Sequence, residues 1–148
     1  MKLPAINPQI ALTAIRTITG ITLALHGAQK VFGAFGGSGL ASFAQFLAPL
    51  GVPLWLSHLA AYCEFIGGVM LVLGVATEIG ALLGIGVMVG AIFLVHISHG
   101  FFLENNGYEY ALNLLVACCA LLVGGSGDYA LFDPFKRDIQ IDLDTHLL

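Results

Sequence analysis

Apolar residues dominate the chain in four long runs, at roughly 9–31, 54–75, 79–97 and 108–123, each near the ~20 residues a bilayer-crossing helix needs. Glycine and proline punctuate them. Pro8 stands where a first-turn proline belongs, and Thr77 with Glu78 reads as a helix start, threonine capping and glutamate in the first turn. Between the first two runs, Leu40, Phe43, Phe46, Leu47 and Leu50 recur at helical spacing with Ser42 and Gln45 among them. That segment is too short to cross and suits a helix at the membrane surface, ended by Gly51 and Pro53. In the third run, Gly80 and Gly84, then Gly86 and Gly90, repeat the small-residue spacing that lets helices approach closely. The expectation is an all-α, integral membrane, antiparallel four-helix bundle with a short interfacial helix between spans one and two. Residues 1–127 form the membrane domain and 128–148 a soluble tail. The first run is too long for a signal peptide and carries Arg16, so it reads as a retained span.

Composition agrees. Of 148 residues, 58% are hydrophobic and only 9% charged, against roughly 25% charged in soluble domains; the mean hydropathy is +0.94. The net charge is −4 and no basic stripe exists, which excludes nucleic acid as a partner. Cys63, Cys118 and Cys119 fall inside apolar runs and read as small apolar side chains.

The few cations set the orientation. Lys2 precedes the first span and Lys136 and Arg137 follow the last, so both termini are assigned to the cytoplasmic side of a cell (inner) membrane, with Lys30 opposing. In an up-down bundle the end of span one, the start of two, the end of three and the start of four then share one side. Those ends carry His26, Gln29 and Lys30; His58; His96 and His99; and Tyr108, Glu109, Tyr110 and Asn113. Deeper lie Arg16 and Glu64, charges whose burial in a bilayer calls for pairing with each other. Arg16, Gly20, Leu23, Gly27 and Lys30 share one helical face, and Glu64 shares another with Ala61, Gly68 and Leu71.

A pocket of His, Lys, Glu and Tyr under aromatic cover suits a lipophilic ligand with polar ends. A quinone fits: its carbonyls accept hydrogen bonds from His or Lys, and carboxylates relay protons. His96 and His99 are one turn apart, but no metal motif accompanies them, so no metal site is assigned and haem is the lesser alternative. Tyr108 and Tyr110 also suit membrane-interface anchors.

Three stretches together, LHGAQKVFGAFGGSGL (25–40), CEFIGGVMLVLG (63–74) and HGFFLENNGYEYAL (99–112), resemble the DoxX family of small four-span membrane proteins. The resemblance covers residues 14–127. It implies a membrane oxidoreductase subunit; relatives include a thiosulfate–quinone oxidoreductase of thermoacidophilic archaea, and others work in oxidative or thiol stress beside soluble redox proteins. By position, the residues carried over are Arg16, His26, Gln29, Lys30, Glu64, His96, Glu109 and Tyr110, while His99 stands where asparagine is more usual. The resulting expectation is a subunit of a quinone-linked oxidoreductase. In it His26 and Lys30 hold a carbonyl, Glu109 and His96 relay protons, and Arg16 with Glu64 sets the pocket's electrostatics. Gln29, His99, Tyr108, Tyr110 and Asn113 complete the polar core. Electrons come from a soluble or membrane redox partner. The rivals are a non-catalytic scaffold or assembly factor for a redox or stress-response complex, and a small-molecule carrier acting as a homo-oligomer.

Overall fold

A computed structural model describes residues 7–135. Helix α1 (Pro8–Phe32) starts where the Asn7 side chain accepts the Gln9 N–H at 3.0 Å. Pro8 takes its first position, where a missing N–H costs nothing. It stops at Gly33, whose φ of 67° makes a left-handed cap. A 3₁₀ turn leads to α2 (Gly39–Leu47), and a second one, with Pro53, to α3 (Leu54–Leu73). Helix α4 (Thr77–Gly90) runs on without a break into a π-helical turn (Ala91–His96) and a 3₁₀ turn (Ile97–His99). A folded loop then leads to α5 (Glu109–Gly124). No strand occurs among the described residues, apart from a single bridge between Val75 and Phe132.

The bundle is a closed antiparallel ring in which α1 packs on α3, α3 on α4, α4 on α5 and α5 on α1. Its core holds Leu23, Leu71, Ala81, Met88, Cys118 and Leu121. Large apolar side chains such as Ile18, Val116 and Val123 are exposed, as they must be where lipid replaces water. Helices α1, α3 and the continuous stretch Thr77–His99 are long and apolar enough to cross a bilayer. Helix α5 has 16 residues, which at ~1.5 Å each falls short of the ~30 Å hydrocarbon core. The short helix expected between the first two spans is α2.

Two local expectations are corrected. Thr77 does not cap α4: Ala76, at φ 44°, holds the cap position, and Thr77 is the first residue inside, fully buried. The turn is shaped instead by backbone from beyond α5. Ala76 N–H donates to the Phe132 carbonyl at 2.9 Å and Phe132 N–H to that of Gly74 at 3.1 Å. Residues 128–135 thus lie across the α3–α4 turn, where the Thr13 hydroxyl also donates to the Asp128 carbonyl at 2.6 Å. Lys2, Lys136 and Arg137, on which the orientation rests, lie outside the described residues.

The second correction concerns glycine. A Cβ on Gly80 would lie 3.1 Å from the Gly67 carbonyl oxygen, and one on Gly84 2.7 Å from Cys118 Sγ, so that pair does admit close neighbours. Gly86 and Gly90 pack on nothing among the described residues, where a Cβ at either meets no atom within 4 Å. The tightest approach is between α1 and α3, where a Cβ on Gly68 would lie 2.2 Å from Ala24 N and one on Gly27 2.4 Å from the Phe65 backbone. Gly27→Ala or Gly68→Ala therefore forces these helices apart and is expected to cost about 1–3 kcal/mol, as overpacked sites do. Gly86→Ala meets no obstacle and gains helix propensity of up to about 1 kcal/mol. Thermal unfolding in detergent checks this: the first two variants melt below the parent, and Gly86→Ala melts no lower.

Candidate functional site

The antiparallel α1–α3 contact fixes which charges meet. Lys30, on the last turn of α1, comes level with Glu64 on α3, and its ammonium is ion-paired and hydrogen-bonded to Glu64 Oε2. The Glu64 side chain is 3% exposed and that of Lys30 27%, so the pair is sunk in the bundle with the lysine reaching in from its end. The Lys30 ammonium also stands 5.4 Å from the centre of the Phe43 ring on α2, within cation–π range.

The expected Arg16–Glu64 pair does not form. Arg16 is level with the C-terminus of α3, seven residues and roughly 10 Å along the helix from Glu64 at ~1.5 Å per residue. Its guanidinium instead donates to four carbonyls: Leu71 at 2.6 Å, Ser126 at 2.9 Å, Val72 at 3.2 Å and Tyr129 at 3.4 Å. Two of these are carbonyls of the last turn of α3, that of Leu71 also accepting the Gly74 N–H at 3.3 Å. Arg16, 2% exposed, ties α1, the end of α3 and the chain beyond α5 together. It lies at the opposite end of the bundle from Lys30.

The other polar residues do gather at one end, in separate groups. His26 Nε2 lies 3.3 Å from the Tyr110 hydroxyl, their rings edge to face at 5.9 Å, which joins α1 to α5. Gln29 donates to the Phe35 carbonyl at 3.3 Å and holds the glycine-rich turn against α1. His96 Nδ1–H donates to the Asn106 carbonyl at 2.7 Å, which leaves Nε2 as its available ring nitrogen. His99 is exposed and its Nδ1 lies 3.0 Å from the Val95 carbonyl oxygen, so the two histidines bind different carbonyls. The Asn113 amide donates to the Glu109 carbonyl at 2.9 Å, and Tyr108 stacks edge-on with Phe101. Glu109 is half-buried at the start of α5 and makes no hydrogen bond with His26 or Lys30.

Between α2, the first half of α3 and the second half of the α4 stretch lies a cavity of about 500 Å³, within the ~300–1,000 Å³ usual for small-molecule sites. Its walls are almost wholly apolar, among them Phe43, Phe46, Leu47 and Leu56, and Lys30 and His96 also line it. Sequence reasoning named those two but missed Phe43, Phe46, Gly86 and Gly90, which also line the cavity. The second glycine pair was visible as a spacing and was read as a packing signal. His58 lines a smaller hollow beside α2.

These features define a helical membrane protein whose polar side chains converge at one end of the bundle, next to an apolar cavity. The chain belongs to the DoxX family, whose profile matches residues 11–97. It is also similar to a protein of Bacillus subtilis (strain 168) named "Putative oxidoreductase CatD", with 33% identity over 127 residues, covering 86% of this chain and 87% of that one. No solved structure matches it.

Removing one partner of a buried ion pair strands the other charge, at a cost of about 3–5 kcal/mol. Lys30→Met removes the cation that partners Glu64 in an apolar setting and is expected to fall at the lower end of that range. Glu64→Gln costs less, because Lys30 is long enough to carry its charge out to the headgroups. A double-mutant cycle on thermal or denaturant unfolding checks the order: Lys30→Met below Glu64→Gln, with the double variant recovering part of the loss.

Proposed function

We propose that this chain is a membrane oxidoreductase subunit that binds a quinone-like lipophilic electron carrier in the cavity between α2, α3 and α4. The observation that carries the reading is an apolar cavity with only two strongly polar groups, Lys30 and His96, among the described residues of its lining. Lys30 donates a hydrogen bond to one carbonyl of the carrier. Neutral His96, with its Nδ1–H given to Asn106, presents Nε2 as an acceptor to the hydroxyl of the reduced form; protonated, it donates to the second carbonyl.

Reducing a quinone to hydroquinone takes two electrons and two protons. The electrons come from a redox partner protein, and the protons pass through His96 and the Lys30–Glu64 pair. His26 and Glu109 lie at the same end without lining the cavity and serve as proton-exchanging groups at its margin. Membership of the DoxX family and a relative named as an oxidoreductase support the redox class. The protein sits in the cell (inner) membrane with α5 as a fourth, short crossing and both termini cytoplasmic, following Lys2, Lys136 and Arg137.

One observation favours the rival scaffold reading: Lys30 with Glu64, and His26 with Tyr110, already have partners within the bundle. Mass analysis of an organic extract of protein purified in mild detergent separates the two. The redox reading expects quinone in the parent and its loss from folded Lys30→Met and His96→Phe variants. Parent and variants equally free of quinone, with a partner protein lost from the variants on co-purification, would favour the scaffold.

A further inference from the structure

We propose that Gly86 and Gly90 form a bare floor on which the planar ring of the bound carrier lies, so that these two residues set the ring size admitted. The proposal rests on the cavity's being the carrier's site. The glycines sit one turn apart on the same face of α4 and both line the cavity. Without side chains they expose a strip of backbone about 6 Å long at ~1.5 Å per residue, room for one six-membered ring.

Their openness is not a requirement of packing among the described residues. A Cβ at either position meets nothing within 4 Å, whereas Gly80 and Gly84, on the same helix, face neighbours at 3.1 and 2.7 Å. Glycine in a helix interior is destabilising relative to alanine, so two glycines kept open towards a cavity point to an occupant. Phe43 and Phe46 of α2 supply aromatic surface in the same cavity, suited to the ring's other side, and Lys30 and His96 supply its polar contacts. Val89 and Leu94 also line the cavity, and both are exposed at the outer surface of the bundle. An apolar tail therefore leaves between α2 and α4 into the acyl chains. The ligand class is a one-ring 1,4-benzoquinone with an alkyl tail, and fused two-ring quinones fit less well.

The test uses the full chain in lipid nanodiscs and its single tryptophan, Trp55, which adjoins the cavity residue Leu56. Quenching is titrated with decyl-ubiquinone and with a decyl-substituted 1,4-naphthoquinone. Leucine at Gly86 or Gly90 is expected to weaken both by about tenfold or more, the scale of a few misplaced methylenes in an apolar pocket. Alanine at either weakens the two-ring probe selectively, and Val116→Leu, on the lipid face of α5, changes neither. The alanine variants keep the test decisive if a leucine variant does not fold. Unchanged binding in all the glycine variants, with Lys30→Met still losing it, overturns the floor and leaves the cavity reading standing. Absence of saturable quenching in the parent overturns both. A smaller assembly in the leucine variants with binding intact assigns the glycines to contact between copies of the chain, and overturns the proposal.

Discussion

Backbone-to-backbone contact between α1 and α3 is the constraint on which the rest of the structure depends. Gly20, Gly27 and Gly68 let the helices approach so closely that a single added Cβ would strike main-chain atoms of the opposite helix. Contact at that range fixes their relative height as well as their distance. Once Gly68 lies against Ala24 and Gly27 against Phe65, Lys30 must stand beside Glu64 and Arg16 beside the end of α3. In a bilayer, where no hydrophobic force draws helices together, such contacts and buried polar bonds carry association. Both kinds meet along this one seam.

The two ends of the seam use buried cations differently. At one end, Arg16 spreads its planar guanidinium over four carbonyls and so fastens a helix end and a loop, a task suited to its fan of donors. At the other, Lys30 puts a single compact charge against one carboxylate and one aromatic ring. The arginine end is closed off by the chain returning after α5. The lysine end stays partly open, beside the cavity. One end of the bundle is built for stability, and the other retains polar groups that still have bonds to offer.

Much of this was legible in the sequence. Helical periodicity put Arg16, Gly20, Leu23 and Gly27 on one face and Ala61, Glu64, Gly68 and Leu71 on another, and all eight are buried. Gathering the histidines, Lys30 and Glu109 at one end followed from counting spans. The partner of Glu64 was not legible, because it depends on the register of α1 against α3, which glycine contacts set and periodicity cannot read. Nor was the cavity. The spacing of Leu40, Phe43 and Leu47 implied a helix without saying where it would dock. The π-helical turn at Ala91–His96 follows an apolar stretch that gives no local sign of it, and it ends at His96. Gly86 and Gly90 matched a packing motif because empty space and close contact leave the same trace in a sequence.

The way the cavity opens has a consequence for how affinity is to be understood. Its rim residues Phe46, Val89 and Leu94 are among the large apolar side chains exposed on the outside of the bundle. On the proposed reading, the carrier reaches it in the plane of the membrane without dissolving in water. The concentration that governs occupancy is then the mole fraction of the carrier in lipid, which partitioning raises far above its aqueous level. A modest intrinsic attraction suffices to keep such a site filled, and a loosely held occupant is free to exchange quickly with the surrounding pool.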